Sequence, residues 1–85
     1  MSLPTLVHAK EFDELFLALP PEVQEQIDRK ILFMAARLRT YPHYQMTGSN
    51  RFRLRVGDYR VLYRCDVAQG VVWLLHVGNR REVYR

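Results

Sequence analysis

Eighty-five residues, 48% of them hydrophobic, set the scale of one domain with one modest core and exclude a disordered basic tail. The formal net charge of +4 is small in total but unevenly placed: residues 1–50 carry five basic and six acidic side chains, whereas residues 51–85 carry eight basic, all arginine, and three acidic. A lone Cys65 excludes an internal disulfide, no run of about 20 apolar residues offers a membrane span, and Met1-Ser2-Leu3-Pro4 opens no secretory leader. The expectation is a cytoplasmic domain over 1–85 that makes no use of a membrane.

In chain order, Leu3 to His8 reads as a short strand, with Pro4 placing it at a sheet edge or at a strand start. From Ala9 to Leu19 the apolar residues Phe12, Leu15, Phe16 and Leu19 recur at helical spacing, and Pro20-Pro21 stops that helix. The second proline suits the first turn of a new helix from about Glu22 to Arg39, with Val23, Ile27, Ile31, Met34 and Leu38 as its buried stripe. Two helices separated by so short a break form a hairpin. Tyr41 to Asn50, with Pro42, Gly48, Ser49 and Asn50, reads as a connecting loop. Its Tyr41, His43 and Tyr44 suit local packing, with a place in a cleft as the alternative.

Arginines and apolar residues then alternate from Arg51 to Arg64. If Gly57-Asp58 is a two-residue turn with glycine first, as type II′ geometry requires, Val56 pairs with Tyr59, Arg55 with Arg60, Leu54 with Val61, Arg53 with Leu62 and Arg51 with Arg64. Phe52, Leu54, Val56, Tyr59, Val61 and Tyr63 then share a core face, and Arg51, Arg53, Arg55, Arg60 and Arg64 share the other. Like charges set opposite one another are destabilising unless an anion sits between them, so the pattern points to a polyanion, and a nucleic acid is the obvious one. After a turn through Asp66 to Gly70, Val71 to Val77 forms a nearly all-apolar third strand that Gly78 ends. The fold expected is α+β, with the helical pair on one face of a small antiparallel sheet and the arginine face left open.

No metal site or cofactor is expected. His8, His43 and His76 fall in separate elements, and no HExxH motif, cysteine pair, glycine-rich phosphate loop or paired carboxylates are present. His76, polar within an apolar strand, is either structural or an imidazole placed near phosphate. RNA offers chemistry that needs no metal, because its own 2′-hydroxyl can attack the adjacent phosphorus and expel the 5′-oxygen. The protein must align the backbone, stabilise the charge that builds on phosphorus and assist proton transfer. Guanidinium groups suit the first two tasks, while a pKa above about 12 makes them poor general bases.

The coupled stretches RFRLRVGDYRVLY (51–63) and HVGNRREVYR (76–85), after the helical hairpin, resemble the RelE/ParE superfamily of bacterial toxins from type II toxin–antitoxin modules over nearly the whole chain. The chain is more similar to the RelE branch, whose members cleave messenger RNA in the ribosomal decoding site, than to the ParE branch, which poisons DNA gyrase. The resemblance implies a cognate antitoxin and, as partners, the ribosome and its mRNA. It implies a catalytic set of Arg53, Arg60, Arg80 and Tyr84, with Arg51, Arg55, Arg64 and Arg81 as RNA-binding residues. Arg51 and Arg53 stand where the RelE branch has two lysines, the second of them its suggested general base. Arg80 matches the suggested general acid, and Tyr84 the C-terminal tyrosine. An arginine at position 53 suits phosphate anchoring better than proton abstraction.

Overall fold

The computed structural model describes residues 3–79. In chain order they form β1 (Thr5–His8), α1 (Lys10–Leu17), α2 (Pro21–Ala36), β2 (Tyr44–Gln45), β3 (Phe52–Val56), β4 (Tyr59–Asp66) and β5 (Val71–Asn79). The five strands make one sheet in the order β1-β5-β4-β3-β2.

Proline chemistry sets the helices. Pro20, extended at φ −57° and ψ 148°, caps α2, and its carbonyl accepts from the amides of Val23 and Gln24. Pro21 occupies the first turn, where its missing N–H costs nothing. The Gln24 side chain donates to the Leu19 carbonyl at 2.9 Å and ties the end of α1 to the start of α2. The second helix stops at Ala36, three residues short of the expected Arg39, and tight turns bonded to the Met34 and Arg37 carbonyls follow. Those turns still carry Leu38 into the core, so the apolar spacing outlasts the helix.

Gly57 has φ +57°, and no non-glycine residue in the described chain has a positive φ. That combination fits the expected type II′ turn, and β3 and β4 pair as the alternation requires, from Val56 with Tyr59 to Phe52 with Tyr63. Between β4 and β5 the register slips: Leu62 pairs with His76 and Tyr63 with Leu74, so Leu75 is an extra residue in β5. This bulge explains a burial pattern that strict alternation forbids, with Val72, Leu74 and Val77 all on the core side and His76 on the other.

Four expectations are corrected. The first strand begins at Thr5 and pairs with β5 in parallel, so the sheet is mixed, with the intervening helices and hairpins serving as the crossover. Tyr44-Gln45 is not loop but a strand, paired with Arg53 and Phe52. Gly78 lies within β5, opposite Arg60, instead of ending it. The face away from the helices is only partly open, because Arg60, Leu62 and Gly78 are buried there.

The helices cover the other face, α1 against β5 and α2 against β3. Phe12, Ile27, Ile31 and Met34 meet Leu54, Val61, Tyr63, Val72 and Leu74 in one core. Ile27→Ala is expected to lower the unfolding free energy by about 2–5 kcal/mol, a large share of the roughly 5–15 kcal/mol available to a domain of this kind. Leu32→Ala, at an exposed position of the same helix, should stay within about 0.5 kcal/mol. Urea unfolding measures both, and equal losses would contradict the assignment of the buried face.

Candidate nucleic-acid interface

The strand register puts the arginines in place. Arg53 and Arg55 project from β3 on the face away from the helices, and Arg60 stands on β4 directly opposite Arg55. With Lys30 of α2, Tyr41, Tyr44 and Leu54, these arginines line a cleft of about 600 Å³ along the part of β3 that lies beyond its short pairing with β2. Four cations and no carboxylate line it. The concentrated positive potential favours a bound anion and discourages an acidic side chain of the protein itself.

Arg60 departs most from the expected exposed row, at 3% accessible. Its guanidinium Nη1 donates to the Tyr59 carbonyl at 3.1 Å and more distantly to that of Gly57. Its neighbour across β5 is Gly78, which has no side chain to compete for the space. Carbonyl dipoles thus hold the charge at the base of the cleft, close to Arg55. A phosphate bridging Arg55 and Arg60 would replace their mutual repulsion with shared contacts.

The other predicted residues are placed less compactly. Arg51 is exposed just before β3, beyond the last pair of the ladder, Phe52 with Tyr63, so its expected pairing with Arg64 is not formed. Arg64 is exposed at the far end of β4, its guanidinium 6.0 Å from the Trp73 ring. Neither lines the cleft. Arg80, Arg81 and Tyr84 lie outside the described residues. His76 faces away from the core and has Nδ1 3.6 Å from the Glu11 carboxylate, which favours its structural reading. Among the described residues, no group of three or more histidine, cysteine or acidic side chains is arranged to hold a metal, and no helix is long and apolar enough to cross a membrane.

Two cleft residues were weakly signalled or missed. Tyr44, whose sequence context suits packing first, lies directly opposite Arg53 and is 58% exposed. The turn-forming Gly48-Ser49-Asn50 between Tyr44-Gln45 and Arg51-Phe52 was the available sign of a second hairpin. Gly48 does take φ +72°, and the Met46 amide bonds to the Arg51 carbonyl across that turn. Lys30, a single lysine on an amphipathic helix, gave no signal.

His43 is the packing residue of this loop. The Leu38 carbonyl, 2.8 Å from Nε2, can only accept, so Nε2 carries the proton and Nδ1 accepts from the Tyr63 hydroxyl at 2.6 Å. The imidazole also contacts the rings of Tyr41, Phe52 and Tyr63. It thereby joins the turns that follow α2, the cleft loop and the centre of the sheet. Burial pushes the Tyr63 phenol well above its ordinary range, with Cys65 and Tyr41 adding in the same direction. Burial first, and Asp66 second, also raise the Cys65 thiol, as suits a packing residue.

The folded state therefore holds the Tyr63 proton more tightly than the unfolded chain does. Its contribution to stability is complete below the unfolded phenol pKa of about 10 and is lost as pH rises from there toward the raised folded value. Tyr63→Phe should reduce stability by about 1–3 kcal/mol at neutral pH, because His43 Nδ1 loses its donor. It should also flatten the decline in stability above pH 10, as read from urea midpoints measured between pH 8 and pH 11. An unchanged decline would show that other groups govern it.

A mixed five-stranded sheet with a helical pair on one side and a cationic cleft along the open edge of β3 defines an α+β protein of the RelE/ParE toxin architecture. Residues 8–84 match the family model described as the ParE toxin of the type II toxin–antitoxin system parDE, and the chain belongs to that family. No curated protein sequence matches it. Among solved structures, it is similar to one in the RelBE2 toxin–antitoxin complex of Mycobacterium tuberculosis, with 24% identity, 94% of each chain covered and a TM-score of 0.74. The isolated RelE toxin of E. coli shares 21% identity over 95% of this chain and 90% of its own, with a TM-score of 0.76. A chain of the archaeal RelE–RelB complex from Pyrococcus horikoshii OT3 shares 19% over 93% and 97%, at 0.74. At these identities the likeness is one of fold.

Proposed function

We propose that the protein is a toxin that cleaves translated mRNA in the ribosome, by attack of the RNA's own 2′-hydroxyl on the neighbouring phosphorus. The observation that carries this reading is the cleft in which Arg53, Arg55 and buried Arg60 meet Lys30 without a carboxylate among them. The 2′-oxygen forms a bond to phosphorus as the bond to the 5′-oxygen breaks, leaving a 2′,3′-cyclic phosphate and a 5′-hydroxyl. Arg53 and Arg55 anchor the phosphate, and Arg60, fixed by backbone carbonyls, donates to the oxygens as charge develops. Arg80 protonates the departing 5′-oxygen in this reading, and Tyr84 orients a nucleotide. In sequence, Arg80 directly follows Asn79, which pairs with Tyr59 beside Arg60. Arg51, Arg64 and Arg81 add long-range attraction for the RNA backbone. The 2′-hydroxyl proton passes to water or to a ribosomal group, since arginine is a poor base.

A cognate antitoxin silences the cleft in the same proposal. The similar folds from M. tuberculosis and P. horikoshii come from toxin–antitoxin complexes. Beside the cleft, and sharing Lys30 and Arg55 with it, lies a second depression of about 530 Å³ that includes Arg29, Phe33 and Val56. Its cationic rim and half-exposed Phe33 suit an acidic, partly apolar segment.

The ParE family match favours a second reading, a DNA gyrase poison, so the deciding experiment uses both targets. Induced expression should produce cuts within translated frames that vanish when ribosomes are withheld, while purified gyrase keeps its supercoiling activity. Growth arrest with intact transcripts and inhibited gyrase would reverse the assignment. Arg80→Ala should slow single-turnover cleavage by about 10²–10³-fold with little loss of ribosome binding. Arg53→Ala should weaken binding and reduce its salt dependence by about one phosphate contact. Equal binding losses in both, with cleavage at saturation unchanged, would remove these roles.

A further inference from the structure

We infer that Tyr44 is a base-stacking platform, so that the cleft takes one nucleotide of single-stranded RNA with its base on the Tyr44 ring and its phosphate on Arg53. The inference rests on the nucleic-acid reading of the cleft and adds to it a residue that grips the base.

Three observations lead to it. The first is register: Tyr44 and Arg53 are direct partners across β2 and β3, so their side chains leave the sheet on one face with Cβ atoms about 5 Å apart. A planar apolar surface and a guanidinium thus stand side by side at the cleft, where a nucleotide presents a planar base and a charged phosphate.

The second is exposure. Tyr44 makes none of the ring contacts that join Phe33, Tyr41, His43, Phe52 and Tyr63, and the residue is 58% exposed. A large ring that contributes little to the core is available to a ligand.

The third is the anchoring of the backbone on either side of Tyr44. The preceding residue, His43, is held at 2.6 Å and 2.8 Å between Tyr63 and Leu38, and the turn after Gln45 is closed by the Gln45 side chain donating to the Ser49 carbonyl at 2.7 Å. The backbone that presents the ring is therefore ordered before a ligand arrives, which lowers the entropy lost on binding. A stacked base needs an exposed ring on an ordered backbone, and stacking tolerates any base because every base has a π-face. The cations around the ring favour a nucleotide over an uncharged apolar side chain.

The test is fluorescence anisotropy with a single-stranded RNA of about ten nucleotides, 2′-O-methylated so that it cannot be cut, titrated with wild type, Tyr44→Ala, Tyr44→Phe and Tyr44→Trp at two salt concentrations. Tyr44→Ala should weaken binding about 5- to 100-fold with the salt dependence unchanged, and Phe and Trp should remain within about threefold of wild type. Unfolding midpoints of the variants separate these effects from loss of fold. Undetectable wild-type binding, unaltered affinity in the alanine form, or phenylalanine as weak as alanine would each overturn the stacking role. So would alanine binding RNA normally while failing to bind the co-expressed antitoxin, which would make Tyr44 part of a protein interface. Cleavage by the wild type in a translating extract, assayed in parallel, tests the enzymatic reading separately. Weakened RNA binding in the alanine form supports the stacking role whether or not the wild type cuts.

Discussion

The turn at Gly57-Asp58 holds the register on which both faces of the sheet depend. Only a residue without a β-carbon adopts φ +57° without strain, and that geometry brings Val56 and Tyr59 together with the twist two antiparallel strands require. Because side chains alternate with period two, a slip of one residue along either strand would carry its arginines into the core and expose Leu54 or Val61. Core formation and charge display are therefore one constraint. The apolar row is buried against α2, and the same burial leaves Arg53 and Arg55 pointing away from it.

The price of that display is electrostatic, and the structure handles it locally. Arg55 and Arg60 face each other across the hairpin. One stays in solvent, and the other turns back onto the carbonyls of its own hairpin, with glycine on its far side. A buried guanidinium in such a place loses hydration, and the carbonyl contacts offset part of that loss. Its field is less screened there than at the surface, which favours an anion at the cleft over one elsewhere on the protein.

Two further devices shape the surroundings of the core. The bulge at Leu75 lets β5 bury Val72, Leu74 and Val77 while sending His76 to the opposite side near Glu11. The His43 joint fixes the loop that presents Tyr41 and Tyr44, using a carbonyl in the turns after α2 and a phenol in the middle of β4. Tyr63, deep in the sheet, thus shares a hydrogen bond with the residue that precedes Tyr44 at the cleft.

Local patterning determined much of this protein: the helical stripes, the Pro20-Pro21 break, the Gly57 turn, the hairpin register and the separation of arginines from apolar side chains. These features depend on neighbours in sequence, through backbone sterics and periodicity, and so they are legible without a fold. The parallel pairing of β1 with β5, the two-residue strand at Tyr44, the bulge that moves His76 and the burial of Arg60 were not legible in this way. Each depends on which residue arrives from a distant part of the chain: Val71 beside Thr5, Arg53 beside Tyr44, and Gly78 beside Arg60. Sequence by itself determined that a row of arginines would leave one side of a hairpin. Tertiary structure decided which of them share a cleft, because cross-strand and helix–sheet packing set the distances between residues that are remote along the chain.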